Sequence, residues 1–434
     1  MAAKRKTSRR TTRSKKKKPT KTSRLKLWIW ALALGLTAVS LVLVLRLPPR
    51  SVQESDGPER PRPNRERVAT RHEGRSSEVT KRVSVESATQ AYEEALDAEL
   101  EQRIKEADLA IVQSLVISGI GAGNLRHREV SPRISNGQEY HFQSLALRVE
   151  TPAQQEAFLR QLREYLDSWL GRECRLAQAA HEPRTWTISI NNLKTHRIAF
   201  QERLEPAPSS APGVTPKIAL VIDDMGESVA KARRLTDIFG SGCTLSILPQ
   251  SSYSQETAQL AKKRGVDILL HLPMEPLSYP ATDPGPGALF VDMDRSTIQA
   301  AVRRSLQALP GIIGVNNHMG SRFTADERCM RIVLRMLRER GLFFMDSLTN
   351  SKSLASEMAS RMNVQTISRD IFIDNQRDVE SILFQLQKAE QVARVHGQAV
   401  VIGHPYPETL DALELWAHSN NGDIRLCGLS QLVE

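Results

Sequence analysis

The second half of the chain repeats one pattern, a short apolar run followed by an amphipathic stretch, from Lys217 to Glu434. The apolar runs predict strands at 218–222, 243–248, 267–270, 312–316, 342–345, 364–367, 399–402 and 424–426. Strands that alternate with helices lie parallel and are connected by right-handed crossovers. We therefore expect residues 217–434 to form an α/β fold, a distorted (β/α) barrel of seven or eight strands. An open doubly wound sheet is the alternative.

The charged residues are unevenly distributed along the sequence. Residues 1–26 contain 13 Lys and Arg and no Asp or Glu, whereas the rest of the chain contains 47 basic and 49 acidic residues. The net charge of +11 therefore belongs to a basic tail, which we predict to be cytoplasmic. Because the remainder is nearly neutral, its charge gives no reason to expect a nucleic-acid partner.

An apolar segment directly after this tail predicts a transmembrane helix at residues 27–47. Residues 27–45 carry no charge, and at 1.5 Å per residue a helix of this length spans roughly 28 Å, close to the thickness of the hydrocarbon core. Trp28 and Trp30 stand at one end, where aromatic anchors are found. The positive-inside rule then predicts a single-pass inner-membrane protein whose remaining chain lies in the periplasm. A cleaved signal peptide is the alternative, but this segment lacks a small-residue cleavage site.

The segments between the apolar helix and residue 217 differ in composition. Residues 48–82 are rich in Pro, Arg, Glu and Ser and predict a flexible linker, and residues 205–216 predict a second, Pro-rich linker. Residues 83–204 predict a long helix at 83–118 and a small α/β module. The module is expected to contain a helix at 152–170 and strands at 140–149, 174–179, 186–190 and 196–200. Because it shows no group of catalytic side chains, structural support or a partner surface is its expected role.

Side chains that suit metal chemistry follow five of the predicted strands in the second half. They are Asp223 and Asp224, His271 and Glu275, His318 and Ser321, Asp346, and His404. In parallel α/β folds the C-terminal ends of the strands meet on one face, where functional sites form. Three histidines and three aspartates that converge on one such face predict a metal-assisted hydrolase.

Residues 217–434 contain five motifs of chemically distinctive residues. They are Ile222-Asp223-Asp224-Met225-Gly226, His271-Leu272-Pro273-Met274-Glu275-Pro276, Asn317-His318-Met319-Gly320-Ser321, Arg369-Asp370-Ile371-Phe372-Ile373-Asp374 and Ile402-Gly403-His404-Pro405. In these motifs the domain resembles the divergent polysaccharide deacetylases, which are relatives of the metal-dependent carbohydrate esterases. The resemblance implies a distorted (β/α) barrel, a polysaccharide substrate and a divalent metal cofactor, usually zinc.

The resemblance also implies roles for individual residues. It implies that Asp223 is the catalytic base, that Asp224 binds the metal, and that His404 protonates the leaving amine. His271 and His318 are then the expected remaining metal ligands. The chemistry of these residue types agrees, because two histidines and one carboxylate leave a position on zinc open for water, whose pKa falls to about 7.

The motifs depart from those of ordinary polysaccharide deacetylases in two places. Glu275 stands where a second histidine, four residues after the first, is usual, and the usual Arg-x-Pro-Tyr segment is absent. Glu275 is therefore an alternative metal ligand, ranked behind His318, or a residue that orients His271 or marks a changed pocket. Four further residues form a second tier of candidates: Ser321, Asp346, Arg369 and Asp370. The last two either orient the catalytic groups or form a structural ion pair.

The sequence thus predicts a membrane-anchored, metal-dependent hydrolase that removes N-acetyl groups from an envelope polysaccharide. Because the motifs are altered, the alternative is a catalytically weak or inactive barrel that binds glycans or assists envelope assembly. The expected partners are the glycan and the membrane. The sequence identifies neither the sugar nor a protein partner.

Overall fold

The computed structural model describes residues 99–135, 138–205, 215–420 and 422–433. These residues belong to one compact unit. The basic tail, the predicted transmembrane helix at 27–47 and the predicted linker at 48–82 lie outside the described residues, as does most of the linker at 205–216. Within the described ranges, no helix combines the length and the apolar character needed to cross a bilayer.

A five-stranded α/β module comes first in the described chain. Its helices are α1 (Glu99–Ile117) and α2 (Pro152–Trp169), and its strands are β1 (Leu125–Ser135), β2 (Gln138–Arg148), β3 (Cys174–Ala179), β4 (Glu182–Ile190) and β5 (Leu193–Gln201). The sheet has the order β1-β2-β5-β4-β3, and its β2–β5 pair is parallel. Helix α2 begins where the Thr151 hydroxyl accepts from the Gln154 amide, and it buries Phe158, Leu162 and Leu166 on one face.

Strand β1 is missing from the sequence-based prediction. Arg, His, Arg and Glu occupy positions 126–129, so the strand shows no apolar run. His127 and Val130 are nevertheless buried, because β2 and the barrel cover them from two sides. The burial of β1 therefore depends on contacts that are distant in the sequence.

Residues 217–426 alternate strands with helices, as the sequence predicts. The strands are β6 (Lys217–Met225), β7 (Cys243–Ile247), β8 (Asp267–Met274), β9 (Gly314–Met319), β10 (Phe343–Asp346), β11 (Thr366–Ser368), β12 (Ile371–Phe372), β13 (Gln398–Gly403) and β14 (Arg425–Leu426). The helices are α3 (Val229–Phe239), α4 (Ser254–Lys263), α5 (Arg295–Ala308), α6 (Glu327–Arg338), α7 (Ala355–Arg361), α8 (Val379–His396) and α9 (Pro407–Ser419).

These strands form one parallel sheet in the order β11-β10-β9-β8-β7-β6-β13-β12, and β14 pairs with β6 beside this path. The described sheet has nine strands, of which eight follow one another along this path, as many as the upper expected number for the barrel. The path includes the unpredicted strand β12, which has two residues and is too short to leave a recognisable apolar run, whereas the predicted strand at 424–426 lies beside the path as β14. Strand β8 also continues four residues past the predicted end, so His271 lies within the strand and Glu275 directly follows it.

The two edge strands of this sheet are neighbours in the sequence. Strand β11 ends at Ser368 and β12 begins at Ile371, and the seam dipeptide Arg369-Asp370 connects them. Eight flat strands at about 4.8 Å spacing would be about 34 Å wide, whereas this connection reaches about 11 Å. The sheet therefore curls into a (β/α) barrel whose edges meet at the seam dipeptide.

Both residues of the seam dipeptide bind backbone groups of the barrel. The Arg369 amide donates to Asp346 O at 3.1 Å and its Nε donates to Ser347 O at 2.9 Å, which holds the end of β10. On the other side, the Asp370 amide donates to Val400 O at 2.9 Å, and Asp370 Oδ2 accepts from the Val400 amide at 2.7 Å. These hydrogen bonds connect β10 to β13 where the two edges of the sheet meet.

The module and the barrel share buried side chains. Val130 of β1 lies in the barrel core, and Phe384 of α8 lies in the module core. Asp108 of α1, which is 2 % exposed, forms an ion pair with Lys388 of α8 at 3.5 Å. Burying a phenylalanine contributes about 1.5–3 kcal/mol, so each part stabilises the other.

Candidate metal centre

A bulge at the end of β6 brings two adjacent carboxylates into one site. The β6–β7 register shifts between Ile222 and Met225, and Asp224 has a φ of 52°. In a regular strand adjacent side chains point to opposite faces, whereas a bulge re-aims one of them. Aspartate tolerates the left-handed conformation better than most residues. Asp223 and Asp224 therefore serve one site because the strand is irregular here.

Three donor atoms from three strands form a nearly equilateral triangle. Asp224 Oδ1 lies 3.2 Å from His271 Nε2 and 2.9 Å from His318 Nδ1, and the two histidine nitrogens are 3.1 Å apart. Tetrahedral ligands about 2.0–2.2 Å from zinc are about 3.3–3.6 Å apart, so small side-chain shifts fit the triangle to one ion. Among the described residues, these three form the group of acidic and histidine side chains able to hold a metal.

The side-chain amide of Asn316 orients both His271 and Asp223. Asn316 Oδ1 accepts from His271 Nδ1 at 2.9 Å and from Ser246 Oγ at 2.7 Å. Its Nδ2 donates to Asp223 Oδ1 at 2.9 Å. Since His271 Nδ1 carries the hydrogen in this arrangement, Nε2 presents its lone pair to the triangle. Asp223 Oδ2 lies 3.8 Å from His271 Nε2, beside the triangle.

The electrostatics of the triangle favour positive charge. Burial raises the pKa of Asp224, but His318 and His271 lower it by more, so this pKa lies well below its usual value. Burial lowers the pKa of His271, but Asp223 and Asp224 raise it above the usual value. A lowered carboxylate pKa beside a raised histidine pKa indicates a site that stabilises a cation.

His404 lies across the triangle, directly after β13. Its Nε2 is 3.9 Å from Asp224 Oδ2, and its Nδ1 is 3.1 Å from Asp374 Oδ1. Asp374 Oδ2 also accepts from the His404 amide at 2.5 Å and from Thr409 Oγ1 at 2.8 Å. Burial lowers the pKa of His404, but the neighbouring carboxylates, chiefly that of Asp374, raise it to about 9. The imidazole is therefore held protonated at neutral pH.

Glu275 lies outside the triangle. Its Oε2 accepts from the Val291 amide at 2.6 Å, and its Oε1 pairs with Arg322 Nη1 at 2.8 Å. Both carboxylate oxygens thus bind protein groups, and the residue is 4 % exposed. These contacts fasten the loop after β8 and the segment after β9 to the end of β8.

Two second-tier candidates also hold loops. Ser321 Oγ accepts from the Leu277 amide at 3.0 Å. Asp346 accepts from the Leu348 amide at 3.0 Å and from Ser353 Oγ at 2.8 Å. Both candidates are buried. Like the seam dipeptide, they position the backbone around the site, and none of their polar atoms belongs to the triangle.

Sequence reasoning misses two residues that contact the site, Asn316 and Asp374. Asn316 lies at a predicted strand end beside a more conspicuous motif, whereas Asp374 follows β12, a strand that the prediction lacks. The rule that polar residues at strand ends form sites would have selected Asn316 but not Asp374. Their partners, however, come from other strands, and the sequence does not specify those pairings.

Several known proteins are similar to the second half of this chain. An uncharacterized protein of Haemophilus influenzae is 35 % identical over 216 residues, which cover 50 % of this chain and 76 % of that protein. Uncharacterized protein YibQ of Escherichia coli is 32 % identical over 224 residues, which cover 52 % of this chain and 69 % of that protein. The crystal structure of an uncharacterized protein from Agrobacterium tumefaciens has 28 % identity and a TM-score of 0.49, with 51 % of this chain and 91 % of that chain covered.

A family model also matches the barrel. The model described as divergent polysaccharide deacetylase matches residues 220–433. This range includes the three residues of the triangle, the flanking carboxylate Asp223 and the Asp374–His404 pair. The chain belongs to the divergent polysaccharide deacetylase family.

Proposed function

We propose that this protein is a membrane-anchored, metal-dependent hydrolase that removes N-acetyl groups from an envelope polysaccharide. The observation that carries the proposal is the triangle of Asp224, His271 and His318, with a carboxylate and an imidazole beside it. Family membership supports a polysaccharide as the substrate. The oriented Asp223 and His404 favour an active enzyme over a glycan-binding barrel, because binding alone requires neither a base nor an acid.

Zinc is the metal that suits this donor set best. Two imidazole nitrogens and one carboxylate oxygen are common zinc ligands, and catalytic zinc sites keep a fourth position open. Bound here, zinc would supply a Lewis acid that lowers the pKa of water to about 7 and polarises the acetyl carbonyl. Asn316 supports this ligand set because its hydrogen bond to His271 Nδ1 fixes the tautomer of His271.

Asp223 acts as the general base in this proposal. Its Oδ1 is held by Asn316, so Oδ2 is the oxygen directed at the attacking water. The carboxylate is 3 % exposed, which prevents bulk solvent from reorienting it. As the water oxygen bonds to the acetyl carbon, its proton passes to Asp223 Oδ2.

His404 acts as the general acid. Its Nδ1 faces Asp374, so the proton on Nε2 is available to the nitrogen of the substrate amide. A pKa raised to about 9 keeps this proton in place at neutral pH. When the proton reaches the nitrogen, the carbon–nitrogen bond breaks and leaves acetate and a free amine on the sugar.

The proposal includes a location in the inner membrane, with the N-terminus in the cytoplasm and the barrel in the periplasm. The support is the basic tail at 1–26 followed by the uncharged apolar segment at 27–45. A barrel on the outer side of this membrane has direct access to envelope glycans.

Metal content and acetate release of the full-length protein test the proposal. His318→Ala should lose the metal, whereas Asp223→Asn should keep it and release no acetate from N-acetylated oligosaccharides. His181→Ala, at an exposed histidine of the module, should change neither property. A wild-type protein that binds no metal even after zinc is added would overturn the mechanism. Bound metal without acetate release from any N-acetylated glycan would support the inactive alternative.

A further inference from the structure

A pocket of about 120 Å³ opens beside the metal centre, between the loop after β6 and the loop after β13. Asp224, His404 and Tyr406 line it together with the start of α3, including Glu227 and Lys231. Because Asp224 is a corner of the triangle and His404 is the proposed acid, a group that enters this pocket lies next to the bond that breaks. The side chains of the pocket are therefore placed to select among N-acetylated sugars.

Lys231 brings a positive charge to this pocket. It lies in the first turn of α3, where its backbone amide donates to Ser228 Oγ at 3.5 Å. Its side chain is partly exposed, and no described residue forms an ion pair or a hydrogen bond with the ammonium group. A positive charge in the first turn of a helix is repelled by the helix dipole. Helix stability therefore does not explain a lysine at this position, whereas attraction of an anionic ligand would.

A second cation, Arg377, flanks the pocket on the side of β13. Its Cζ lies 3.8 Å from the centre of the Tyr406 ring, and its Nη2 donates to Tyr406 Oη at 2.9 Å. The Tyr406 ring lies 5.6 Å from the His404 ring, so one aromatic ring separates the guanidinium from the proposed acid. Arg377 is exposed, and no described carboxylate pairs with it. Stacking on the ring orients the guanidinium and leaves most of its five N–H donors for a ligand.

Glu227 brings an opposing charge to the same pocket. It is exposed, and it forms no ion pair with Lys231 or with any other described residue. Water screens an exposed charge more strongly than a partly buried one, so Lys231 acts on a ligand more strongly than Glu227 does. The Asp224 carboxylate faces the two histidines of the triangle, which offset its charge. The part of the pocket beside Lys231 therefore favours an anion.

We propose that Lys231 and Arg377 form a subsite for the carboxylate of an acidic glycan, so that the enzyme prefers acetamido sugars that carry or adjoin such a group. Both cations bind carboxylates, and arginine does so through two parallel hydrogen bonds. The carboxylate belongs either to a lactyl ether on the acetamido sugar or to a uronic acid joined to it. The subsite rests on the proposed function, because it selects a substrate only if the acetamido group reaches the metal centre.

Binding of matched oligosaccharides to the zinc-loaded, full-length Asp223→Asn protein tests this subsite without turnover. The probes contain N-acetylglucosamine alternating with N-acetylmuramate or with glucuronate, and each is also prepared with its carboxylates converted to carboxamides. Calorimetry at low salt should show that one acid form binds about tenfold more tightly than its carboxamide form. This advantage should decrease at high salt. The acid form that shows it identifies the source of the carboxylate.

Substitutions of the charged residues should change this advantage in opposite directions. Lys231→Gln and Arg377→Gln should each reduce it about threefold, and the double variant should abolish it. Glu227→Gln should increase it, because the substitution removes a charge that repels the ligand. Lys263→Gln should leave it unchanged, because this exposed lysine ends α4 before β8 begins, at the opposite end of the strand from the metal centre.

Equal binding of the acid and carboxamide forms would overturn the subsite, as would an advantage that persists in the double variant. Failure of the proposed function gives a different result, because the wild type would then release no acetate from any of these probes. Tighter binding of an acid form without acetate release would support the subsite in a glycan-binding barrel. Acetate release with equal kcat/KM from the acid and carboxamide forms would show a deacetylase that lacks the subsite.

Discussion

The carboxylate of Asp374 contacts His404 twice, with Oδ1 3.1 Å from the ring Nδ1 and Oδ2 2.5 Å from the backbone nitrogen. One contact fixes the ring and the other fixes the backbone that carries it. Both groups are buried, so solvent does not compete for either hydrogen bond. The pair thus defines which imidazole nitrogen faces the metal centre.

Asp374→Asn should reduce acetate release about 10²-fold to 10⁴-fold, the usual contribution of a general acid. The neutral amide of the variant no longer stabilises the charged imidazole of His404. The pKa of His404 should therefore fall from about 9. Metal content should stay at the wild-type level. Acetate assays paired with elemental analysis measure both, and the exposed Asp411→Asn serves as the control. An active Asp374→Asn enzyme would show that His404 is not the acid.

Asn316→Leu should weaken metal affinity about 10-fold to 100-fold, which is the usual effect of removing a residue that hydrogen-bonds to a metal ligand. The substitution frees the ring of His271 and deprives Asp223 of its donor. Competition with a chelator measures the affinity. Asn317→Ser is the control, because the Asn317 side chain bonds to Met319 O, Thr349 and the Ser347 amide and to no side chain of the triangle. Equal metal affinity in the two variants would contradict the orienting role.

Glu275→Gln should retain the metal and lose about 1–3 kcal/mol of unfolding free energy. The reason is that its carboxylate bonds to the Val291 amide and Arg322 instead of pointing into the triangle. Elemental analysis and urea unfolding give the two quantities. Loss of metal with normal stability would instead make Glu275 a ligand, the alternative that the sequence leaves open.

Phe384→Ala should destabilise the protein by about 3–5 kcal/mol, because this barrel residue fills the core of the module. Val395→Ala, on the same helix but 54 % exposed, should change the free energy of unfolding little. Denaturant unfolding of both variants checks the comparison. If the two variants unfold alike, the module does not rely on α8 for its core.

Acid should destabilise the fold through His127. Its folded pKa of about 3 lies below the usual 6.5, so the unfolded chain binds more protons between these values. Stability should therefore fall by about 1.4 kcal/mol for each pH unit below 6.5. Urea unfolding of the wild type and His127→Phe between pH 7 and 4.5 measures this slope, which the variant should lose. His181→Phe, at an exposed position, should keep it.

The sequence predicts the elements of the barrel better than their pairing. Eight apolar runs correspond to strands, because burial on both sides of a parallel sheet requires them. Strand β12 leaves no such run, and neither does the polar strand β1. Both are held by contacts between residues far apart in the chain, which local patterns do not record.

In the candidate site, too, the sequence predicts the residues better than the contacts between them. Residue type and strand-end position suffice to select Asp224, His271 and His318, since few other side chains bind zinc. The roles of Asn316 and Asp374 depend on strand order and on which nitrogen of each histidine they face. The left-handed bulge at Asp224 is likewise set by the sheet, although its aspartate is compatible with that conformation.

The seam dipeptide has a consequence for how the family can vary in length. Because two residues join the sheet edges, a single insertion or deletion between Ser368 and Ile371 would alter the circumference of the barrel. It would also displace Asp374, three residues further on, relative to His404. The segment between β8 and α5, residues 275–294, joins no pair of sheet edges. We expect natural length differences among relatives to accumulate in that segment and to be absent from the seam.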